Sequence, residues 1–274
     1  MNEPTYTIMI MSNNNHNMLA ECLRRVKLYT PIPHEVVVVD DASEPAYQIE
    51  GATVVRMPKR SNCCNLRNVG MEMSKTDYVF WLDNDCFVGP GWYQPLVDVV
   101  ESDPMVGLTG QPKDSRLIRN PFFPINQADC MIEYQFAYDY DHNTSLCDFI
   151  TSYCILVKKE AWRPTYCYGM PTPVLDPDLG ANIKVNGYKV KVASTNLPVE
   201  HMGTGTPRPE GYGYHYHLAE NFARWFRFWK PHAPKVFELY SGREIAYSHD
   251  ANESGRAGSK GHHGDKDLGP DINE

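Results

Sequence analysis

The sequence predicts an α/β protein with a mostly parallel central sheet flanked by helices. Apolar, β-favouring runs alternate with amphipathic helical patterns over the first 110 residues, as in consecutive βαβ units. The runs at 36–39 and 78–82 are apolar throughout, which is typical of strands buried on both faces. Both runs end in carboxylates, and open α/β sheets bind their ligands at the carboxyl ends of their strands. These observations predict a ligand site at one edge of the sheet.

The first strand and the first helix are predicted from a change of hydrophobic period. Residues 7–11 are mostly apolar and lead into a polar turn at 12–15. Apolar residues then recur at helical spacing from Leu19 to Val26. This pattern predicts an amphipathic helix that ends before Pro31, because proline cannot continue a helix.

The remaining elements of the first half follow the same alternation. A helix over 66–73 is predicted with Ser61 as its N-cap. Another helix over 92–100 has apolar residues at helical spacing. No Gly-x-Gly-x-x-Gly follows the first strand, which disfavours a dinucleotide-binding Rossmann domain. Further strands are predicted at 35–39, 52–56, 78–82 and 106–109.

The second half of the chain is less regular. Residues 114–126 carry prolines and charges, and we predict a long loop there. A helix that starts at Asp176 is predicted to end at Asn186-Gly187, a favourable C-cap. Residues 203–214 are rich in Gly, Pro and Thr and are predicted to form a mobile loop. Strands are predicted at 149–157, 188–193 and 198–201, with a short helix at 158–162.

The C-terminal region divides into an aromatic helix and a polar tail. Apolar side chains between His217 and Trp229 form one stripe of a predicted helix, with arginines beside it. Packing into the core, attachment to a membrane surface and binding of an acceptor are all compatible with this stripe. Residues 248–274 contain almost no large apolar side chains, which predicts a disordered tail.

The composition is that of an ordinary globular protein, with 42% hydrophobic and 22% charged residues. A formal net charge of −8 provides no global basic field for nucleic acid or anionic lipid. No run approaches the 18 apolar residues of a membrane span, and the run at 8–11 is too short for a signal peptide core. The eight cysteines form no Cys-x-x-Cys pair. We therefore expect a cytoplasmic protein without an integral membrane segment, whose cysteines are reduced and buried.

Acidic residues follow the two most apolar strands. Asp40-Asp41 comes after the second strand, and Asp83-Asn84-Asp85 comes after the fourth. Two carboxylates at a strand end suit a hard divalent cation that bridges nucleotide phosphates. For either motif alone, an acidic turn is the alternative, since Asp and Asn are ordinary turn residues. Because both strand ends fall on the same edge of a parallel sheet, we favour the cation site.

Several motifs occur together in an order that characterises a known family. In chain order they are Ser12-Asn13-Asn14, Val39-Asp40-Asp41-Ala42-Ser43, Leu66-Arg67-Asn68-Val69-Gly70, Leu82-Asp83-Asn84-Asp85, Ser152 to Trp162, Leu175 to Leu179, Asn186 to Val190 and Val199-Glu200-His201. The set resembles a family 2 glycosyltransferase with the GT-A fold, a Rossmann-like fold of nucleotide-diphosphate-sugar transferases. The resemblance implies a single catalytic domain over 1–247, with 1–110 as its nucleotide-sugar half and 111–247 as its acceptor half.

The resemblance implies roles for five residues. Asp41 resembles the aspartate that hydrogen-bonds the nucleobase, and Asp83 resembles the one near the ribose. Asp85 resembles the ligand of Mn²⁺ or Mg²⁺ on the diphosphate. His201 resembles an additional metal or diphosphate ligand of some members, with a purely structural histidine as the alternative. Asp176 resembles the catalytic base of inverting members.

Further candidates for donor binding come from the first and third motifs. They are Ser12, Asn14, Arg67 and Asn68. Arg67 can place a fixed positive charge near the phosphates, and an arginine on the helix surface is the alternative. The family often has a Glu-Asp pair where this chain has Leu175-Asp176, so Asp178 is the alternative to Asp176 as the base.

The resemblance implies a metal-dependent, inverting transfer of a sugar from a nucleoside diphosphate, with a UDP-sugar as donor. This chemistry needs a cation for the leaving diphosphate and a carboxylate that takes the proton of the attacking hydroxyl. Residues 203–214 are expected to close over the bound donor. The roles of His215 and His217 stay open. The acceptor class also stays open among a glycan, a lipid-linked sugar, a protein side chain and a hydroxylated nucleobase.

Three alternatives stand beside this prediction. A nucleotidyltransferase would share the acidic strand ends and the metal, but residues 12–17 lack the glycines and basic residues of its phosphate loop. A non-catalytic sugar-nucleotide or glycan binder would keep the fold without turnover. A scaffold would bind a partner or a membrane through the aromatic C-terminal helix.

Overall fold

A seven-stranded mixed sheet with helices on both faces forms the centre of the structure. The computed structural model describes residues 4–111, 122–125, 131–135, 150–164, 175–194, 196–203 and 246–248. The helices in these ranges are α1 (His16–Tyr29), α2 (Cys63–Met73), α3 (Gln94–Ser102) and α4 (Leu175–Val185). The strands are β1 (Tyr6–Ser12), β2 (Glu35–Asp40), β3 (Thr53–Arg56), β4 (Tyr78–Asp83), β5 (Cys86–Val88), β6 (Val106–Gly110), β7 (Phe122–Ile125), β8 (Met131–Gln135), β9 (Cys154–Lys158), β10 (Lys189–Val192), β11 (Val199–His201) and β12 (Ala246–Ser248).

The order of strands in the large sheet is β10-β6-β9-β4-β1-β2-β3. Strand β1 pairs in parallel with β2 and β4, β2 pairs in parallel with β3, and β10 with β6. Strand β9 runs antiparallel to both of its neighbours, β4 and β6. The predicted α/β class, with a mostly parallel sheet flanked by helices, is therefore confirmed.

Strand β4 is buried on both faces because its side chains alternate between two hydrophobic clusters. Phe80 and Leu82 pack with residues of α1 and α3 on one face. Val79 and Trp81 pack with residues of α2 and α4 on the other face. Each of the four side chains is at most 1% exposed. Burial of a side chain of this size contributes about 1.5–3 kcal/mol, so β4 is held firmly up to the acidic turn that follows it.

Helix α2 lies closer to β1 than a larger residue would allow. A Cβ atom added to Gly70 would lie 2.0 Å from the Sδ atom of Met9, and glycine permits this approach because it has no side chain. The helix begins after Asn62, whose Oδ1 accepts a hydrogen bond from the backbone N–H of Asn65 at 2.8 Å. The prediction of Ser61 as the N-cap is therefore wrong, and the Ser61 hydroxyl instead accepts from the Asn65 side chain.

Three predictions for the second half need correction. The strand predicted over 149–157 covers Cys154–Lys158, because the chain turns immediately before it. The short helix predicted at 158–162 is a 3₁₀ turn over Lys159–Ala161. The loop predicted at 114–126 contains β7, which forms a three-stranded antiparallel sheet with β8 and β12. Strand β7 lies at the edge of this sheet, where proline is tolerated.

Helix α4 and its C-terminus agree with the prediction. The helix ends at Val185, and Gly187 then adopts a positive φ of 86°. This left-handed conformation favours glycine and satisfies the last carbonyl groups of a helix. The backbone N–H of Gly187 accordingly donates to the carbonyl oxygen of Lys184 at 2.9 Å. The start of α4 at Leu175 places Asp176 and Asp178 in its first turn.

The cysteines differ in part from expectation. Cys64 is disulfide-bonded, so the prediction of eight reduced cysteines is wrong. The absence of a Cys-x-x-Cys pair, on which that prediction depended, does not exclude a disulfide between cysteines at other spacings. Cys22, Cys63, Cys86 and Cys154 are free thiols. Within the described part of the chain, no helix has both the length and the apolar character needed to cross a bilayer.

Several predictions concern residues outside the described ranges. They are the greater part of the loop over the donor (204–214), the aromatic helix from 217 to 229, His215 and His217, and the tail from 249 to 274. The structure tests none of them.

Candidate active site

The acidic ends of β2 and β4 lie on the two sides of β1. In the parallel register, Met11 pairs with Asp83 and Ser12 pairs with Asp40. The backbone N–H of Asp41 donates to the carbonyl oxygen of Ser12 at 2.9 Å, which extends this register by one residue. Both acidic motifs therefore lie at the carboxyl edge of the parallel strands, the place where open α/β sheets bind ligands.

The turn after β1 connects the two acidic motifs. The Ser12 hydroxyl accepts a hydrogen bond from the Asn84 side chain at 2.8 Å and shares another with the Tyr47 hydroxyl at 2.7 Å. Asn14 has a positive φ of 51°, and its Oδ1 accepts from the backbone N–H of Glu44 at 2.6 Å. Ser12 and Asn14, two predicted donor-binding residues, are thus held by the protein itself and fix the shape of this edge.

Asp40 and Asp41 have different environments despite being adjacent. Asp40 is fully buried and accepts hydrogen bonds from the backbone N–H of Ser43 at 2.8 Å and from Arg56 at 2.7 Å. Burial alone would raise the pKa of Asp40, but the hydrogen bonds outweigh it and the pKa is lowered. Asp41 accepts a hydrogen bond from the backbone N–H of Ser61 at 2.7 Å, and burial raises its pKa.

The two predicted metal ligands, Asp85 and His201, lie close together. The Nε2 atom of His201 lies 3.3 Å from Oδ1 of Asp85 and 3.8 Å from Oδ2 of Asp83. The hydrogen bond with Asp85 raises the pKa of His201. Burial raises the pKa of Asp83 to about 6, although the positive charges of Arg67 and His201 oppose the shift. A third carboxylate, that of Asp176, adds to the rise and therefore lies near the same edge.

A short antiparallel ribbon of β5 and β11 places His201 beside the acidic turn. His201 pairs with Cys86, and the backbone N–H of Met202 donates to the carbonyl oxygen of Asp85 at 3.1 Å. The His201 ring stacks on the ring of Tyr153, with the ring centroids 4.6 Å apart and the planes at 9°. Two residues far apart in the sequence, Asp85 and His201, thereby become neighbours.

The donor set fits a hard divalent cation. Possible ligand atoms of Asp85, Cys86 and His201 lie within 4.8 Å of one another. Cys86 is fully buried, its thiol donates to the carbonyl oxygen of Tyr153 at 3.1 Å, and burial raises its pKa well above the ordinary value. Because the thiol is buried and already hydrogen-bonded to Tyr153, the Asp85 carboxylate and the His201 imidazole are the more accessible donors, and carboxylate oxygen is the ligand that Mg²⁺ and Mn²⁺ prefer.

Arg67 is buried and not on the helix surface. Only 3% of the residue is exposed, so the surface alternative is wrong. Its guanidinium lies 4.9 Å from the centre of the Trp81 ring, and Nη2 donates to the carbonyl oxygen of Ser152 at 3.5 Å. Its Nε and Nη1 atoms have no hydrogen-bond partner among the described residues. Unsatisfied buried donors are rare in proteins and point to an anionic ligand or an ordered water. Asn68, the next residue of α2, is also buried.

The two candidate bases in α4 differ in exposure. The hydroxyl of Ser152 donates to Oδ1 of Asp176, which is half-buried. Asp178 is only 1% exposed. A base must reach the proton of an incoming hydroxyl, and Asp176 is the more accessible of the two. Ser152 and Tyr153 belong to a motif recognised in the sequence, but their contacts with Asp176 and His201 were not predicted. Neither residue type indicates such a contact until the folded structure shows its neighbours.

The fold and this edge define an α/β protein with acidic residues at the strand ends, where open sheets bind their ligands. The sequence also matches the model of the family described as "Glycosyl transferase family 2" over residues 7–162, which is more than half of the chain. The chain belongs to glycosyl transferase family 2.

Similar curated proteins bear glycosyltransferase names. An uncharacterized glycosyltransferase of Haemophilus influenzae is 27% identical over 127 residues, covering 44% of this chain and 43% of that protein. The uncharacterized glycosyltransferase YwdF of Bacillus subtilis is 26% identical over 102 residues, covering 35% and 38%. Polypeptide N-acetylgalactosaminyltransferase 3 of Drosophila melanogaster is 28% identical over 110 residues, covering 35% and 16%. The chain thus spans less than half the length of each of these relatives.

Two solved structures share the fold. GalNAc-T7, determined with UDP, GalNAc and Mn²⁺, superposes with a TM-score of 0.55 at 17% identity, over 84% of this chain and 50% of that chain. The mannosyltransferase PcManGT of Pyrobaculum calidifontis, determined with GDP-Man and Mn²⁺, gives a TM-score of 0.54 at 16% identity, over 88% and 71%. The expected GT-A fold is therefore confirmed.

Proposed function

We propose that this protein transfers a sugar from a nucleoside-diphosphate donor to an acceptor hydroxyl, with a divalent cation at Asp85 and His201. The observation that supports this most strongly is the 3.3 Å contact between the two side chains at the carboxyl edge of the sheet. Family membership favours a glycosyltransferase over a nucleotidyltransferase. The acceptor supplies the hydroxyl that attacks the donor sugar.

The nucleoside would lie along the turn after β1. Asp41 presents a carboxylate with one oxygen held by Ser61, and its other oxygen faces the Arg60 guanidinium at 3.8 Å. Asp83 lies on the other side of β1 and is assigned to the ribose. We propose UDP as the nucleotide, in keeping with the resemblance and with the UDP bound to GalNAc-T7. GDP is the alternative, because PcManGT was determined with GDP-Man.

The diphosphate would lie between Arg67 and the pair formed by Asp85 and His201. A bound Mn²⁺ or Mg²⁺ supplies neutralisation of the negative charge that develops on the leaving diphosphate. Arg67 adds a fixed positive charge, and its Nε and Nη1 atoms, which have no partner among the described residues, can each donate to a phosphate oxygen. A charged donor held in a buried position costs no reorganisation when the charge develops.

Asp176 is proposed as the base of an inverting single displacement. The Ser152 hydroxyl holds one carboxylate oxygen of Asp176, which leaves the other oxygen for the acceptor hydroxyl. Removal of the proton by Asp176 makes the acceptor oxygen the nucleophile that attacks the anomeric carbon as the diphosphate leaves. Asp178 is the less favoured base because it is almost completely buried.

The test is release of nucleoside diphosphate from a panel of UDP- and GDP-sugars with Mn²⁺, Mg²⁺ or EDTA. We expect slow, cation-dependent hydrolysis of one donor by the wild type. The rate in Asp85→Ala should fall toward that of the wild type in EDTA, because a ligand of the cation is lost. Asp98→Asn is the matched control, since Asp98 is an exposed carboxylate of α3, and it should behave as the wild type.

If no nucleoside diphosphate is released, calorimetry with UDP and GDP shows whether the protein binds a nucleotide at all. Binding of UDP or GDP without release indicates an enzyme that waits for its acceptor, or a sugar-nucleotide binder. Turnover with any acceptor then distinguishes the enzyme from the binder. Failure of both nucleotides to bind, in the presence of Mn²⁺, would contradict the proposed function.

A further inference from the structure

Tyr153 contacts both segments that carry the proposed cation ligands, which are the turn from Asp83 to Cys86 and strand β11. Its carbonyl oxygen accepts hydrogen bonds from the backbone N–H of Asp83 at 2.9 Å and from the Cys86 thiol at 3.1 Å. These contacts hold the two ends of the turn that contains Asp85. One backbone atom of Tyr153 thus fixes the position of the acidic turn relative to β9.

The side chain of Tyr153 holds the other cation ligand. Its ring lies parallel to the ring of His201, with the centroids 4.6 Å apart and the planes at 9°. The Tyr153 hydroxyl donates to Oε1 of Gln111 at 3.1 Å, at the far end of the ring. Tyr153 is half-buried against the core cluster on the α1 and α3 face, so its position is set by packing.

His201 needs such a support because of where it lies. It is the last residue of a three-residue strand, and 35% of its side chain is exposed. A side chain in that situation has several rotamers available, and few of them direct Nε2 at Asp85. A flat ring against one face of the imidazole excludes rotamers that would swing it away from the carboxylate.

We propose that Tyr153 is a positioning residue that preorients His201 toward Asp85 for a divalent cation, an inference that rests on the proposed function. Partners that orient a metal ligand typically contribute about 10- to 100-fold to metal affinity. Tyr153 acts through the ring of His201 and does not itself bind the cation. Its substitution should therefore change the affinity for the cation more than the stability of the fold.

The experiment measures Mn²⁺ affinity by electron paramagnetic resonance of the full chain. Tyr153→Leu should bind Mn²⁺ about tenfold or more weakly than the wild type. Tyr153→Phe keeps the ring and should bind nearly as the wild type does. Tyr153→Met, whose flexible side chain fills the same space without a flat face, is the second variant and should bind as weakly as Tyr153→Leu.

Tyr188→Leu is the matched control for lost packing. Tyr188 is also a half-buried tyrosine, but it packs against the cluster on the α2 and α4 face, where Lys158 lies 5.6 Å from its ring centre. The Tyr188→Leu variant should lower the midpoint of thermal unfolding in EDTA about as much as Tyr153→Leu does. Its Mn²⁺ affinity should equal that of the wild type. Saturating Mn²⁺ should restore nucleotide release in Tyr153→Leu, because the defect lies in cation binding.

The outcomes separate this inference from the proposed function. If the wild type binds Mn²⁺ and both Tyr153→Leu and Tyr153→Met bind it equally well, the role of Tyr153 is overturned and the cation site stands. Equal weakening by Tyr188→Leu would also overturn it, because the effect would then be a general loss of stability. If the wild type does not bind Mn²⁺, both the inference and the metal-dependent function are overturned.

Discussion

Burial of polar residues at the carboxyl edge is what distinguishes this site at the scale of single residues. Asp40, Arg67 and Asn68 are each at most 3% exposed. Asp40 is satisfied by the protein, through Ser43 and Arg56, whereas two nitrogens of Arg67 have no partner among the described residues. A satisfied buried group stabilises the fold, and an unsatisfied one is better suited to a ligand.

Asp40→Asn should destabilise the protein in a way that depends on pH. The charged hydrogen bond to Arg56 is lost, and we expect a decrease of about 2–3 kcal/mol in the free energy of unfolding at pH 7. The pKa of Asp40 in the folded protein lies below its ordinary value of 3.8. Its contribution is therefore present above about pH 4 and is lost as the pH falls further.

Urea unfolding of the wild type and Asp40→Asn at pH 7 and pH 3 measures this dependence. The difference between the two proteins should shrink at pH 3. An equal difference at both pH values would show that the charge of Asp40 is not what stabilises the turn after β2.

Arg67→Met should separate binding from stability. Methionine fills much of the same volume and removes two buried donors that have no partner among the described residues. The unfolding midpoint should therefore stay the same or rise. UDP binding in the presence of Mn²⁺ should weaken by about 10- to 100-fold, as expected for the loss of charged hydrogen bonds.

Calorimetry with UDP and thermal unfolding provide the two readouts for Arg67→Met. Arg24→Met is the control, because Arg24 lies on the exposed face of α1, where it pairs with Glu21. A large loss of stability with unchanged UDP affinity in Arg67→Met would identify Arg67 as a structural residue.

At the scale of elements, two close contacts position the site. Helix α2 lies against β1 through Gly70 and thereby brings Arg67 to the sheet edge. The ribbon of β5 and β11 brings His201 to Asp85. The first contact depends on a glycine that lets two backbones approach closely, and the second depends on backbone pairing over three residues.

Gly70→Ala tests the contact between α2 and β1. The new Cβ atom would collide with the side chain of Met9, at 2.0 Å from Sδ and 2.7 Å from Cγ. Overpacking of this kind typically costs about 1–3 kcal/mol. The double variant Gly70→Ala, Met9→Ala should lose less unfolding free energy than the two single variants lose in sum, since the colliding Met9 atoms are absent.

A double-mutant cycle of urea unfolding measures the coupling between positions 70 and 9. Strictly additive effects would show that the two residues do not limit the approach of α2. In that case another contact would have to explain how α2 reaches the sheet edge.

The elements with long, uniform patterns were predictable from the sequence, and the short ones were not. Strands β2 and β4 are continuous apolar runs, and α1 has apolar residues at helical spacing, so all three were predicted within a few residues. Strand β5 has three residues and was not predicted at all. The N-cap of α2 was misplaced by one residue because Ser61 and Asn62 are both good capping types.

The site was predictable to the extent that it follows strand ends. Asp41, Asp83 and Asp85 could be proposed from the sequence because carboxylates follow apolar runs and match a family pattern. The burial of Arg67 was not predictable, because a helical pattern gives the orientation of apolar residues and says little about a polar residue beside a ligand site. The stacking of Tyr153 on His201 depends on two segments that meet only in the folded chain.

At the scale of the whole molecule, the site joins two parts of the chain. Asp41, Arg67, Asp83 and Asp85 lie within the family match, whereas Asp176 and His201 lie beyond residue 162. The sheet brings the two groups together because β9 inserts between β4 and β6, and β10, which follows α4, pairs with β6. The proposed donor contacts therefore come mainly from the first group, and the proposed base comes from the second.

The most direct test of the central claim is the anomalous scattering of Mn²⁺ in crystals grown with UDP and Mn²⁺. We predict one manganese peak bonded to Asp85 and His201, with the diphosphate of UDP on the cation and the uracil ring beside Asp41. Manganese bound at another place while UDP occupies the sheet edge would contradict the proposed ligands. Crystals with neither UDP nor manganese at this edge would contradict the proposed function itself.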